Sequence, residues 1–249
     1  MNELNGLIGI IKPSGLYSTK VLGRVKFILR EQARKEAGEN KPKKIPKVGH
    51  FGTLDENATG ILVVALGKAT KLNNKFSEKR KVYESTFAFG IETDTLDPLG
   101  KTTREEKTSI TKKQLEEAMK KFVGKLNQLP PKYSANKING ERAYDLAREG
   151  KEVELKLKPV EVFSFVLLSL DEKNQEAKVR IECSTGTYVR SLARDVANAL
   201  NTVAIAKTIN RLASGDFNYS NSIAFEGLTY ESIVNACGNT LHFSLCKEK

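Results

Sequence analysis

The stretch that decides how this chain folds reads Gly49-His50-Phe51-Gly52-Thr53-Leu54-Asp55-Glu56-Asn57-Ala58-Thr59-Gly60-Ile61-Leu62-Val63-Val64-Ala65-Leu66-Gly67. Its first part is a loop rich in glycine and threonine, and its second part is an apolar run typical of a fully buried strand. The glycines let the backbone turn sharply and let a ligand approach closely. A loop anchored to such a strand holds its side chains rigidly, so Asp55 is a candidate site residue. The alternative is that Asp55 only stabilises the turn through a side-chain hydrogen bond.

The segments around this stretch predict an α+β fold. The pattern of apolar residues predicts strands near residues 6–11, 61–66, 82–90, 153–170, 177–183 and 203–209, and helices near 18–33, 69–76, 111–123, 187–200 and 225–234. Thr187 is expected to cap the helix over 187–200. Because strands and helices do not alternate regularly, a mostly antiparallel sheet is favoured over a doubly wound one.

The charge balance favours a polyanionic partner. The 249 residues include 41 Lys and Arg against 30 Asp and Glu, which gives a net charge of +11. Such an excess is typical of proteins that bind nucleic acid, although a basic enzyme without a nucleic-acid partner is the alternative. Seven basic residues lie in the polar stretch 30–47, which predicts an exposed loop or a helix extension. This basic insert either contacts a nucleic acid or is merely solvated.

Composition also bears on the compartment and on metals. No segment approaches the roughly 18 apolar residues needed to cross a membrane, and nothing resembles a signal peptide. The cysteines, Cys183, Cys237 and Cys246, form no Cys-x-x-Cys pair, which is typical of reduced thiols in a cytoplasmic protein. The two histidines, His50 and His242, are too few for an ordinary zinc site. We therefore expect a cytoplasmic protein without metal or cofactor.

Four further segments point to one family. They read Ile11-Lys12-Pro13-Ser14-Gly15, Lys79-Arg80-Lys81-Val82-Tyr83-Glu84, Gln128-Leu129-Pro130-Pro131-Lys132-Tyr133-Ser134-Ala135-Asn136-Lys137-Ile138-Asn139-Gly140-Glu141-Arg142-Ala143-Tyr144, and Cys183-Ser184-Thr185-Gly186-Thr187-Tyr188-Val189-Arg190-Ser191-Leu192-Ala193-Arg194-Asp195. Together with the Asp55 loop, and in this order between about Gly9 and Phe217, they closely resemble the bacterial tRNA pseudouridine synthase B family.

The resemblance implies a fold, a reaction and a partner. The expected fold is a mixed, mostly antiparallel central sheet flanked by helices and loops, with residues 1–217 as the catalytic domain. The expected reaction isomerises the T-loop uridine of tRNA (tRNA position 55) to pseudouridine. The expected partner is the T-arm of tRNA, bound by a monomer without an obligate protein partner. Family members commonly carry a C-terminal RNA-binding lobe of the PUA type, and the tail 218–249 is too short for one.

The reaction explains the residue types that the resemblance selects as catalytic. It breaks the N1–C1′ bond, rotates the uracil and joins C5 to C1′, so a carboxylate must act on C1′, on the ring or on a sugar proton. The resemblance implies that Asp55 is this carboxylate and leaves its role open among these three. It also implies that Arg190 pairs with Asp55, and that Tyr83 stacks on the target base and takes part in the C5 proton step. The alternative for Arg190 is an arginine on the protein surface. The alternative for Tyr83 is an ordinary tyrosine of a strand, without a catalytic role.

Four more residues are expected to bind substrate. The resemblance places His50 beside the flipped T-loop nucleotides and assigns Tyr188 and Ile209 to the pocket. Ile209 belongs to an Ile-Asn-Arg triplet where the family usually has Leu-Arg-Arg, so one positive charge is missing. Lys12 either meets a phosphate or is a strand-end lysine in water. The segment Pro130–Ser134 is expected to form a rigid wall beside the active site.

Two other functions fit parts of the sequence. The basic charge alone is compatible with a non-catalytic module that binds or folds tRNA. A carboxylate-based glycoside hydrolase would normally need a second catalytic acid, and no motif supplies one. The set of Asp55, Tyr83 and Arg190 favours the isomerase over both.

Overall fold

The structure, a computed structural model, describes residues 4–38, 40–42, 44–134, 137–138, 141–142 and 155–244. The strands are β1 (Gly6–Lys12), β2 (Val48–Phe51), β3 (Thr59–Leu66), β4 (Lys81–Phe89), β5 (Ile91–Thr93), β6 (Thr102–Glu105), β7 (Gly124–Gln128), β8 (Lys137–Ile138), β9 (Glu141–Arg142), β10 (Lys158–Asp171), β11 (Glu176–Cys183), β12 (Ala204–Ser214), β13 (Phe217–Asn218) and β14 (Ser222–Ala224). The helices are α1 (Ser18–Ala37), α2 (Asn73–Ser77), α3 (Lys112–Lys120), α4 (Val189–Ala199) and α5 (Tyr230–Ser244), with 3-10 turns at Gly67–Leu72, Tyr219–Asn221 and Phe225–Gly227.

The chain divides into two compact units. Unit 1 is built from the described parts of 1–79 and 211–249, and unit 2 from the described parts of 80–210. The boundary falls within β12, between Asn210 and Arg211. Each unit has its own paired strands and its own buried residues.

Unit 1 is organised around β3, the apolar strand that follows the Asp55 loop. Residues 60–66 of β3 are all buried, and β1 and β2 pair with this strand in antiparallel register. On its other side β1 pairs in parallel with β14. A cluster of apolar side chains packs on these strands, namely Leu7, Phe51, Ile61, Val63, Ala65, Ala69, Phe76 and Phe217. Burial of this cluster anchors the Asp55 loop, because the loop joins β2 directly to β3.

Two helices complete unit 1. The buried residues of α1 include Val21, Val25, Leu29 and Ala33, which recur every four positions and so form one apolar stripe. Helix α1 lies beside β2, and α5 packs on β1. The segment after residue 217, expected to be a short tail, therefore contributes β14 and α5 to the body of unit 1.

Unit 2 contains the strand order β4-β11-β10-β7, with antiparallel pairing throughout this series. Its helix α3 begins with a capping box: the Thr111 hydroxyl accepts from the Gln114 N–H, and the Gln114 side chain accepts from the Thr111 N–H. Helix α3 packs near β10 and α4, and α4 lies against β4. Helices therefore flank the strands of this unit.

The predicted fold class is confirmed: antiparallel pairing dominates, and helices flank the strands. The prediction that Thr187 caps the helix over 187–200 is wrong. Helix α4 begins at Val189 with Tyr188 as its N-cap, and no side-chain bond caps it. The Thr187 hydroxyl instead lies 3.4 Å from the Ser184 hydroxyl, within hydrogen-bond distance.

No helix among the described residues is both long enough and apolar enough to span a membrane.

Candidate active site

The Asp55 loop is held on both sides of the aspartate. Leu54 is buried, and its N–H and C=O both bind the hydroxyl of Ser18, at 3.0 and 2.9 Å. On the other side, the Glu56 carbonyl accepts from the N–H of Gly15 at 2.9 Å. The Asp55 carbonyl itself accepts from the N–H of Ala58 at 3.2 Å, which closes a turn. The backbone that carries the Asp55 carboxylate is therefore fixed by its neighbours rather than free to move with solvent.

Lys12, at the end of β1, is a second support of this loop. Its side chain is fully buried, and Nζ donates to the carbonyl oxygens of Pro13 at 2.9 Å, Leu16 at 2.7 Å and Glu56 at 3.1 Å. Both sequence-based interpretations of Lys12, a phosphate contact or a lysine in water, required an exposed ammonium group. The structure corrects them, because the ammonium is enclosed by backbone carbonyls.

The surroundings of Lys12 perturb its protonation. Burial lowers the pKa of Lys12 to about 8, because removing an ammonium group from water disfavours its charged form. The negative charges of Asp55 and Glu56 oppose this shift, and the positive charge of Arg211 adds to it. Lys12 and Arg211 thus place two cations under the loop that carries Asp55.

His50 lies on β2 opposite Val64 of β3 and is partly buried. The Asp55 loop joins β2 to β3, so His50 lies next to the start of this loop, as its place in the sequence indicated. Contact with flipped nucleotides stays a prediction.

Unit 2 holds the other two residues expected to be catalytic. Tyr83 is a buried residue of β4 and pairs with Ile181 of β11. Arg190 is the second residue of α4 and is only 3% exposed. The interpretation of Arg190 as a surface arginine is therefore wrong. Its pairing with Asp55 stays a prediction.

Arg190 is held by carbonyls and by a carboxylate that the sequence analysis missed. Nη1 donates to the carbonyl of Thr95 at 2.7 Å, and Nη2 donates to the carbonyl of Tyr133 at 3.0 Å. A carboxylate oxygen of Asp97 lies 3.7 Å from Nη1, and both side chains of this pair are almost fully buried. A buried guanidinium needs such partners, because an unpaired charge in the interior is strongly destabilising.

Asp97 is itself positioned by a tight turn. Its Oδ1 accepts from the Thr95 hydroxyl at 2.7 Å and from the N–H of Leu99 at 3.0 Å. Leu96 adopts a positive φ of 60°, which is uncommon for a leucine. The local signal for this turn was the run Thr93-Asp94-Thr95-Leu96-Asp97, whose short polar side chains are typical of turns, but the run did not indicate a partner for Arg190.

The two residues just before the predicted wall over 130–134 bind the start of α4. Gln128 binds the backbone of Tyr188 twice, accepting from its N–H at 2.8 Å and donating to its carbonyl at 3.2 Å. The Leu129 carbonyl accepts from the Ser191 hydroxyl and from Arg194, each at 2.8 Å. Residues 130 and 131 are buried prolines. Ile209, on β12, is also buried, and residues 135–136, 139–140 and 143–144 of the quoted segment lie outside the described residues.

The predicted site residues thus fall into two groups. Unit 1 contains Asp55, Lys12 and His50. The charge of Asp55 acts on Lys12, and the Lys12 ammonium binds the carbonyl of Glu56, the next residue of the Asp55 loop. Tyr83, Arg190, Tyr188 and Ile209 belong to unit 2. The residues that sequence analysis missed are Asp97 beside Arg190 and the buried Arg211 beside Lys12.

Comparison with known proteins identifies the family. Residues 40–189 match the model of the N-terminal domain of TruB family pseudouridylate synthases. The tRNA pseudouridine synthase B of Clostridium acetobutylicum is 37% identical over 245 residues, covering 98% of this chain and 78% of that protein. The protein of the same name from Endomicrobium trichonymphae is 39% identical over 226 residues, covering 90% of this chain and 91% of that protein.

A solved structure shows the same fold. A chain in the crystal structure of a Cbf5-Nop10-Gar1 complex has a TM-score of 0.67 at 23% identity, covering 94% of this chain and 59% of that chain. The resemblance inferred from the five sequence segments is confirmed by the family match and by the relatives. This chain belongs to the TruB family of pseudouridylate synthases.

Proposed function

We propose that this chain isomerises the T-loop uridine of tRNA to pseudouridine and that Asp55 is the reacting carboxylate. Membership of the family makes the chain an isomerase that acts on tRNA. The observation that supports the role of Asp55 most directly is the fixed backbone on either side of it, through Leu54 and Glu56. A reacting group must be held near its productive geometry, and this loop meets that requirement.

The proposed chemistry needs no net gain or loss of atoms. The N1–C1′ bond breaks, the uracil turns within the pocket, C5 bonds to C1′, and the proton leaves C5 while N1 acquires one. Asp55 supplies the carboxylate for the first stage, acting on C1′, on the ring or on a sugar proton. The buried cations Lys12 and Arg211 lie beneath the Asp55 loop and bind its backbone carbonyls at Glu56 and Gly52.

The residues of unit 2 take the roles that the family resemblance implies. Tyr83 stacks on the target base, and stacking of this kind contributes about 1–3 kcal/mol per base. Arg190 acts on the reacting carboxylate, with Asp97 and two carbonyls holding the guanidinium in place. Tyr188 and Ile209 line the substrate pocket, and His50 of unit 1 contacts the flipped nucleotides. Flipping the uridine out of its stack costs a few kcal/mol, which these contacts offset.

The partner is tRNA, bound mainly through its T-arm by a monomer in the cytoplasm. The excess of positive charge supports an RNA partner. Cys183 and Cys237 are buried cysteines, and burial raises the pKa of Cys237 to about 11, which keeps that thiol protonated and unreactive. Cys246 lies outside the described residues.

The test compares two carboxylates of one loop. Asp55→Asn should abolish pseudouridine formation in a T-arm hairpin, because the amide lacks the charge, while the Kd for the hairpin stays within several-fold of wild type. Glu56→Gln is the matched control and should keep most of the activity, because the contact of Glu56 with Lys12 uses its backbone carbonyl. Product is measured by mass spectrometry of digested RNA under single-turnover conditions.

Two outcomes would contradict the proposal. Turnover by purified Asp55→Asn above a trace of the wild-type rate would exclude Asp55 as the reacting group. Absence of turnover by the wild-type protein on both the hairpin and whole tRNA would exclude the T-loop uridine as the substrate.

A further inference from the structure

Arg211 is among the largest side chains in unit 1 that are fully buried. It lies on β12 and is only 1% exposed. A guanidinium in the interior is strongly destabilising unless its donors are satisfied. Here Nε donates to the carbonyl of Ile61 at 2.7 Å, and Nη2 donates to the carbonyl of Gly52 at 2.9 Å. Two N–H groups of Arg211 are therefore satisfied by backbone carbonyls, and the side chain is shielded from bulk water.

The two carbonyls that bind Arg211 bracket the Asp55 loop. Gly52 directly follows β2, and Ile61 lies in β3 just after the loop ends. The guanidinium is planar and presents its donors in a rigid fork, so two bonds from one group fix the separation of the two carbonyls. Gly52 has a positive φ of 75°, which glycine adopts without a steric penalty, so the loop leaves β2 sharply at the bound residue.

The side-chain supports at Ser18 and Lys12 hold the middle of the loop, whereas Arg211 binds at its two ends. Ser18 binds Leu54, and Lys12 binds Glu56, so the residues on either side of Asp55 are fixed. Arg211 is close enough to Lys12 for its charge to lower the pKa of that lysine. The loop thus rests on two buried cations, one under its middle and one across its ends.

We infer that Arg211 is a positioning residue for the Asp55 carboxylate, because its guanidinium ties Gly52 to Ile61 across the loop that carries Asp55. This inference rests on the proposed function of Asp55. It gives the arginine of the Ile209-Asn210-Arg211 triplet a role in geometry rather than in contact with RNA. A buried side chain bound to two carbonyls does not reach a phosphate.

The experiment uses the whole chain with the Arg211→Lys substitution. Lysine keeps the positive charge, but its side chain is shorter and ends in a single nitrogen. It therefore cannot bind the carbonyls of Ile61 and Gly52 at the same time, as the planar guanidinium does. We expect the single-turnover rate on a T-arm hairpin to fall roughly 100-fold, as misplacement of a reacting group by about 1 Å does. The Kd for the hairpin should stay within about threefold, and the dependence of log Kd on log salt should keep its slope.

A control separates positioning from general stability. Ile233→Ala removes a fully buried side chain of α5 in the same unit and should lower the melting temperature. Its single-turnover rate, measured well below that temperature, should equal the wild-type rate. If Arg211→Lys does not fold, Arg211→Gln is measured instead, because glutamine keeps two donors on a neutral side chain.

Three results would overturn the inference. The first is a wild-type rate for the Arg211 variant. The second is a weaker affinity for the hairpin with an unchanged single-turnover rate, together with a slope of log Kd against log salt that is smaller by about one. That result would show that Arg211 contacts a phosphate. The third is an equal loss of rate in Ile233→Ala. A wild-type protein that is itself inactive on tRNA would instead refute the proposed function, so the two failures are distinguishable.

Discussion

The two units hold their buried cations in different ways. In unit 1, Lys12 and Arg211 bind backbone carbonyls in the Asp55 loop and, at Ile61, just after it. In unit 2, Arg190 also binds two carbonyls, but it has the buried carboxylate of Asp97 beside it. The cations of unit 1 thus hold the backbone of the loop that carries Asp55. In unit 2 the neighbouring groups instead hold the side chain of Arg190 in place.

This difference predicts different weaknesses. An arginine side chain keeps its positive charge throughout the pH range in which proteins are folded. The stability of the arrangement around Arg190 therefore depends on the negative charge of Asp97 beside it. Lysine loses its proton more readily, and the pKa of Lys12 is already lowered to about 8. The stability of unit 1 should therefore depend on pH, and the stability of unit 2 should depend on the charge of Asp97.

The largest effect is expected from Asp97→Asn. Removing one partner of a buried ion pair leaves an uncompensated charge and costs about 3–5 kcal/mol of the free energy of unfolding. Asp195→Asn is the matched control, because Asp195 pairs with Arg194 at 2.8 Å but both side chains are more exposed. Burial raises the pKa of Asp195, so neutralising it should cost under about 1 kcal/mol. Urea denaturation of both variants checks this, and equal losses would show that burial does not set the importance of the pair.

The next effect concerns pH and Lys12. The folded state releases the Lys12 proton near pH 8, while the unfolded state keeps it to about 10.5, so between these values the unfolded state binds more protons. The free energy of unfolding of wild type relative to Lys12→Met should therefore rise with pH, by about 1.4 kcal/mol per pH unit and about 3 kcal/mol over the window.

Lys20→Met tests whether the slope is specific to the buried lysine. Lys20 is exposed on α1, so its replacement should give no comparable rise across the same window. Denaturation is followed from pH 7 to 10.5 for all three proteins. A flat difference between wild type and Lys12→Met would mean that Lys12 is not desolvated in solution.

A smaller effect is expected from Ser18→Ala. The substitution removes both bonds to Leu54 and leaves a buried N–H and a buried carbonyl unsatisfied, which costs about 1–3 kcal/mol. Ser14→Ala is the control, since the Ser14 hydroxyl bonds the Asn57 carbonyl at an exposed position. The control should change the free energy of unfolding by less than about 1 kcal/mol. A single-turnover rate unchanged in Ser18→Ala would show that the loop does not need this anchor for reaction.

The smallest effect is expected at the basic insert, 30–47. Helix α1 continues through residue 37, and the described lysines Lys41 and Lys44 are exposed, while Lys43 lies outside the described residues. Neutralising all three lysines with glutamine should weaken binding of whole tRNA several-fold and flatten its salt dependence, with less effect on a T-arm hairpin. Filter binding at several salt concentrations measures both RNAs. Wild-type affinities for both would mean that the insert is merely solvated.

The sequence predicted those features of the fold and of the site that short, contiguous stretches of residues encode. The Asp55 loop and the strand after it lie where the glycines and the apolar run indicated. The stripe of Val21, Val25 and Leu29 predicted the buried face of α1. The five motif segments were sufficient to identify the family. Such features are readable because period and turn chemistry are local properties of the chain.

The environment of the charged residues was decided only by the tertiary structure. Lys12 binds a carbonyl 44 positions away, Arg190 one that is 95 away, and Arg211 one that is 159 away. Whether a lysine or arginine lies in water or in the interior depends on which carbonyls and carboxylates surround its side chain. Some of those groups are local, as Pro13 and Leu16 are for Lys12, but each of these three cations also needs a partner from a distant segment, and no local pattern encodes that partner. The sequence by itself therefore determined the reaction class and the loop that carries Asp55, whereas the tertiary structure decided which cations hold that loop.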